Sequence, residues 1–351
     1  MQFSGNIKLL DDVLRIVQAR LPLGWHLQQI ARDGTSGSDI ELIYPGQAGV
    51  SFKAEIRAAL DPRGVIQLKA GMASETKGAA GSRPVLVISR YLAPATRQKL
   101  VEAGFNFADL TGNVRIVLAS PAIFIELSGA DRSPFREDRK SRTLRGPKVG
   151  RIVRALVDFA ETPGVRELAV RAGVDAGYLS RVLTLLEREA LIDRGHRGCV
   201  VRLDWPGLLR RWASDAPLES RGEVMMFIDP RGLDSVVTKL ATSGTRYAVT
   251  GSLAAGRVSQ VAPARLAMIY VDDIDAASGF LGLRPAEAGA NVVLVRPVDD
   301  VVYERSFVAD GVRYAAVSQV AADLLTSPGR GPAEAEELLN WMEANQKVWR
   351  G

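Results

Sequence analysis

Two groups of residues in this 351-residue chain have the types and spacing to do chemistry. Asp39 lies in one strand-like segment, and Glu55 with Arg57 in the next. Carboxylates on neighbouring strands can hold a divalent metal while a nearby base assists an attacking water. Arg57 stands at the base position, where a permanently protonated guanidinium cannot exchange a proton; Lys53 and Lys69 are the alternative amines. The second group, Thr250-Gly251-Ser252, follows an apolar strand. Such a turn can cradle nucleotide phosphates if the next strand supplies carboxylates for magnesium. That strand, Ala264 to Val271, lacks acids, and Asp272, Asp273 and Asp275 fall at its end, where a turn or helix cap accounts for them. His26 and His196 are the only histidines, too few and too far apart for a metal site or a Ser-His triad. Single Cys199 excludes an internal disulfide, and there is no glycine-rich dinucleotide or P-loop motif.

The first group resembles the PD-(D/E)xK nuclease pattern, with arginine in place of lysine. The second resembles the opening of a nucleotidyltransferase fold without its acidic pair. Both read as non-catalytic scaffolds, so no catalytic residue, metal or cofactor is expected. Gly251 and Ser252 then mark a degenerate nucleotide site. The alternative is a metal-dependent nuclease using Asp39, Glu55 and Arg57.

A third set of residues speaks for DNA. From Lys148 to Ala160, Val149, Ile152, Val153, Leu156, Val157 and Phe159 recur at helical spacing. Thr162-Pro163 has the form of a helix start, and Val165 to Ala172 runs to a turn at Gly173. A third helix, Ala176 to Ala190, carries Leu179, Val182, Leu183 and Leu186 on one stripe, with Asp175 as N-cap. Two short strands follow, Leu191 to Arg194 and Gly198 to Leu203, joined by Gly195-His196-Arg197. This is the order of a winged helix-turn-helix, which puts its recognition helix in the major groove and its wing on the backbone. Arg181 is the expected base reader, since a guanidinium pairs bidentately with guanine. Tyr178, Ser180 and Thr184 are expected beside it, and Arg194, His196 and Arg197 at the wing. Arg142, Arg145 and Lys148 would follow the DNA backbone from the preceding linker.

Charge points the same way. Between Arg132 and Arg211, eighteen Lys and Arg face ten Asp and Glu, a local excess of eight in a chain of net +5. A basic field of this kind attracts polyanions by counterion release. The expected architecture is α/β and α+β multidomain. Residues 1–130 form a restriction-endonuclease-like α/β domain with a partly parallel sheet, and 131–147 a mobile basic linker. Residues 148–213 form the winged helix, and 214–351 a degenerate nucleotidyltransferase-like α/β domain. No apolar run approaches the ~20 residues that span a bilayer, and Met1 to Asn6 lacks the blocks of a secretory signal. A cytoplasmic, nucleoid-associated protein with no membrane partner is expected.

Several segments together resemble the AbiEi-type antitoxin and transcriptional regulator family of type IV toxin–antitoxin systems. They are Tyr91 to Arg97, Leu100 to Ile116, Val174 to Leu183, Val261 to Leu266, Gln319, and Asp323 to Gly331. The Asn106-Phe-Ala-Asp-Leu-Thr-Gly-Asn113 and Pro328-Gly-Arg-Gly331 blocks sharpen the match. The resemblance implies a repressor that binds its own promoter on double-stranded DNA, with a toxin or other protein as partner. A nucleotide or single-stranded DNA is a candidate effector of the flanking domains. The long N-terminal domain departs from the minimal antitoxin.

Overall fold

The computed structural model describes residues 2–31, 38–46, 49–75, 83–120, 122–135, 143–161, 163–259 and 263–351. The chain forms two compact units: Met1–Arg139 with Arg188–Ala190, and Lys140–Glu187 with Leu191–Gly351.

In the first unit α1 (Gln2–Gln18) precedes β1 (His26–Ala31), β2 (Ser38–Ile43) and β3 (Val50–Ile56). Helix α2 (Pro62–Glu75) leads to β4 (Val85–Ser89), and α3 (Pro94–Ala103) to β5 (Asn106–Asp109), β6 (Val114–Leu118) and β7 (Ile123–Leu127). The seven strands pair in chain order; β3, β4 and β5 run parallel and the flanking pairs antiparallel. β4 is buried along its whole length because both faces are covered, as its unbroken Val-Leu-Val-Ile run requires. Leu86 and Ile88 join a core with Leu10, Val13 and Val17 of α1, while Val85 and Val87 join Val65 and Leu100 of α2 and α3. On α1 the buried stripe is Leu9, Leu10, Val13, Leu14 and Val17. Gly104 ends α3 at φ +80, where only glycine is unstrained.

The second unit opens with α4 (Pro147–Val157), α5 (Val165–Arg171) and α6 (Ala176–Arg188), then an antiparallel ribbon of β8 (Ile192–Arg194) and β9 (Val200–Leu203). After α7 (Trp205–Asp215) and α8 (Leu218–Arg221) come β10 (Gly222–Ile228), α9 (Leu233–Leu240), β11 (Tyr247–Thr250) and α10 (Gly251–Ala255). β12 (Ala267–Val271), α11 (Ile274–Leu281), β13 (Arg284–Pro285), β14 (Val292–Pro297), β15 (Phe307–Ala309) and β16 (Val312–Tyr314) follow. Helices α12 (Val317–Leu324), α13 (Gly331–Ala344) and α14 (Gln346–Trp349) close the unit. The sheet order is β13-β10-β14-β12-β11-β16-β15.

Two expectations about organisation are corrected. The boundary at 213/214 does not exist as a break, because one hydrophobic core runs from Leu144 through Trp205 and Trp212 to Trp349. Trp212 lies against Gly150 of α4, where an added Cβ would meet its ring at 3.3 Å, and Trp205 meets Trp349 edge-on at 5.1 Å. The linker is not a free tether at its described ends. The Leu144 side chain is fully buried and its N–H donates to Asp215 Oδ2 at 2.6 Å, while Arg97 donates to Asp131 Oδ1 at 2.6 Å. The helix start expected at Thr162-Pro163 falls at Gly164, which caps α5 without a side chain; Thr162 lies outside the described residues.

Candidate nucleic-acid interface

Helix α6 divides its residues cleanly. Leu179, Val182, Leu183, Leu185 and Leu186 are buried, while Ala176, Gly177, Ser180, Arg181 and Thr184 are exposed. That division follows from 3.6 residues per turn acting on the Leu and Val spacing. Asp175 starts the helix by accepting from the Tyr178 N–H at 2.7 Å, and Gly173 turns the chain at φ +60. The helix ends at Arg188, two residues earlier than expected, and Ala190 takes a left-handed φ of 59 before the ribbon.

Tyr178 is half-buried against the core, and its ring carries two cations. Lys148 Nζ lies 5.8 Å from the ring centroid and the Arg181 guanidinium 5.7 Å. Lys148, at the first turn of α4, and Arg181, on α6, thus form one basic cluster around an aromatic ring. Cation–π attraction of this kind is worth ~0.5–1 kcal/mol at exposed sites and holds both side chains near the exposed stripe of α6. Thr184 Oγ1 donates to the Ser180 carbonyl at 2.9 Å.

The wing differs from expectation at Arg194. Its guanidinium donates from Nε and Nη2 to Glu187 Oε2 at 2.9 and 2.5 Å, and to Thr184 Oγ1 at 3.3 Å. The ribbon's bulge between Asp193 and Arg194 turns this side chain back onto α6. Arg194 therefore pins the ribbon to the helix. His196 is exposed in a short 3-10 turn, His196–Gly198; the Arg197 side chain lies outside the described residues. Arg202 pairs across the ribbon with Asp193 at 2.5 Å, and that hydrogen bond raises its pKa. Upstream, Arg145 Nε donates to the Asp215 carbonyl at 2.7 Å, so this arginine anchors the linker end; Arg142 lies outside the described residues.

In the first unit, Asp39 is registered opposite Lys53, and Glu55 lies two residues further along β3. Side chains two apart share a face, so all three sit on the α2–α3 side of the sheet. Each carboxylate has an arginine on it: Arg83 meets Asp39 at 2.7 Å and Arg57 meets Glu55 at 2.5 Å. Lys69 is exposed on α2, not in the sheet. Among the described residues no group of three or more His, Cys, Asp or Glu is placed to hold a metal ion.

The Gly251–Ser252 turn is filled by protein. Gly251 has φ +67, and an added Cβ would meet Met268 Sδ at 2.7 Å. Met268 is registered opposite Thr250 on β12, and Tyr270 follows two residues on, on the same face. Behind the turn, Asp323 of α12 is fully buried, accepting from Thr250 Oγ1 at 2.6 Å, Tyr270 Oη at 2.9 Å and Gln319 Nε2 at 2.9 Å. It also pairs with Arg221 at 2.9 Å. Burial, with the Asp323 charge beside it, pushes the Tyr270 hydroxyl well up, so it remains a donor.

Sequence reasoning missed the extension of this network into α4. Arg154 is buried to 1%, donating to Asp158 at 2.8 Å, Gln319 at 3.1 Å and the carbonyls of Val301 and Glu304. The i,i+4 spacing of Arg154 and Asp158 was the available signal, and it suits an exposed helix face equally well. The Asn106–Asn113 block is likewise internal: Asp109 accepts from the N–H groups of Leu92, Thr111 and Asn113 and from the Asn113 amide. No family model matches the chain, and no curated protein or solved structure is similar to it.

Proposed function

We propose that this protein is a sequence-specific double-stranded-DNA-binding transcriptional regulator, an antitoxin-like repressor. It uses the α4–α5–α6 bundle and the β8–β9 ribbon as a winged helix-turn-helix. The observation that carries the reading is the Lys148–Tyr178–Arg181 cluster beside an exposed, small-residue stripe on α6. Ala176, Gly177 and Ser180 let a helix approach base edges closely, and Arg181 supplies bidentate donors for guanine. The basic excess around the motif supplies the sequence-independent part of the affinity. The restriction-endonuclease-like first unit and the nucleotidyltransferase-like sheet act as non-catalytic scaffolds in this reading. Met268 and Tyr270 stand opposite the phosphate-cradling turn in place of carboxylates.

Selection of bound fragments from random genomic DNA tests the proposal and yields the operator. Binding to the enriched sequence should exceed that to scrambled DNA by at least ~10³ at physiological salt. Equal binding of both would sink it.

One observation favours a second reading, a metal-dependent nuclease. Asp39, Lys53 and Glu55 share one sheet face, as a carboxylate–amine site would need. Metal would have to displace Arg83 and Arg57 from the carboxylates. Incubating duplex DNA with the protein and magnesium or manganese decides it: cutting lost in Glu55→Ala supports a nuclease, and intact DNA removes it.

A further inference from the structure

Where the end of α4 meets α12, α13, α14 and β15 in the second unit there is a cleft of about 350 Å³. That volume is at the lower end of those that take small organic ligands. Its walls are aromatic and aliphatic, with Phe307, Trp341, Trp349 and Val317 among them, and its polar groups are Asp158, Ser318 and Arg305.

Asp158 is buried, with one oxygen accepting from Arg154 Nε at 2.8 Å and the other from the Ser318 hydroxyl. Its charge is answered within the protein. Arg305 is exposed and is held by main-chain oxygens, donating to Gly351 at 2.6 Å and Trp349 at 3.2 Å. Its guanidinium also lies over the Phe159 ring at 4.7 Å. These contacts fix a planar five-donor group at the cleft while engaging two of its N–H groups in hydrogen bonds. Arg305 does this from a left-handed φ of 56, a conformation that a non-glycine residue adopts at a cost and that recurs at ligand clamps. Aromatic walls favour a flat apolar body, and an anionic head matches the guanidinium. Ser318, whose hydroxyl proton goes to Asp158, presents lone pairs that can accept from a ligand N–H or O–H.

We propose that this cleft binds a small planar aromatic carboxylate bearing a ring N–H or O–H. The ring lies among Trp341, Trp349 and Phe307, the carboxylate on Arg305, and the ring donor on Ser318. The site stands independently of the DNA-binding reading.

Isothermal titration and tryptophan fluorescence on the full chain test it, with indole-3-acetate and 4-hydroxybenzoate as probes. 3-Methylindole is the neutral control and tryptamine the cationic one. A carboxylate should bind saturably at one site, at least about tenfold tighter than either control, as one charge-assisted pair provides. Arg305→Gln should bring indole-3-acetate down to the level of 3-methylindole, and Trp341→Leu should weaken both. If a variant does not fold, the order of the probes on the unaltered chain decides. No saturable binding of either carboxylate up to millimolar concentrations, or tryptamine binding as tightly, overturns the proposal. So does an Arg305→Gln variant that folds and keeps the preference.

Discussion

Arg154 on α4 donates from Nη1 to Oε1 of Gln319 on α12 at 3.1 Å, across 165 positions of sequence. Both side chains are fully buried, and through Gln319 the bond continues to Asp323, Tyr270 and Thr250. Helix α4 is therefore joined by a buried polar network to the sheet behind it.

Removing one member of a buried ion pair leaves the other uncompensated, which costs ~3–5 kcal/mol. Arg154→Met should destabilise the second unit by that amount in urea unfolding. Arg154→Met combined with Asp158→Asn should recover part of the loss, because the stranded charge is then gone. A loss below ~1 kcal/mol in the single variant would contradict the burial of this pair.

Gly251 offers a second stability test. Gly251→Ala puts a Cβ against Met268 Sδ and forces alanine to φ +67, which alone costs ~1–2 kcal/mol. Adding Met268→Ala removes the clash but not the conformational strain. Its cavity brings a cost of its own, so the two substitutions should be non-additive in a double-mutant cycle.

The interface residues should separate in DNA binding. Arg181→Ala should cost ~1–3 kcal/mol on the selected operator and relax preference at one base pair. Arg197→Ala should weaken all sequences and lower the salt slope by about one. Arg194→Ala should change the salt slope little, because its guanidinium is paired with Glu187; its effect should show as a lower melting temperature.

Acid should act through paired carboxylates. The Arg246 hydrogen bond holds Asp272 below its ordinary range, and the Arg210 hydrogen bond does the same for Glu336. A depressed pKa contributes stability above the unfolded value, ~4, and that contribution is lost as pH falls through the folded one. Unfolding free energy should thus drop below about pH 4, and Arg246→Gln with Arg210→Gln should flatten that slope. All four side chains are close to half exposed, so each pair should account for less than ~1 kcal/mol.

The local pattern was legible where one residue type repeats at one period. The α6 stripe, the Gly173 turn and the Asp175 cap all follow from spacing alone. β10, at the heart of the second sheet's longest pairing, was missed because its Met225 and Met226 are exposed and break the alternation. α7 is not legible in its Trp-Pro-Gly start, although Asp204 caps it by accepting from the Gly207 N–H.

Which charges are available to a ligand was not legible. Arg194, Arg145 and Arg154 are all arginines in a basic stretch, indistinguishable by type from Arg181. Composition and period determined helices α4 and α6, the ribbon and the basic segment, because these depend on neighbours within a few residues. Tertiary structure decided that Arg154 is core, that Arg194 faces Glu187, and that Leu144 to Trp349 share one interior. A side chain's charge is set by its own chemistry, but its partner is chosen only when the apolar faces are buried, whether it lies seven residues away, as Glu187 does from Arg194, or 165, as Gln319 does from Arg154.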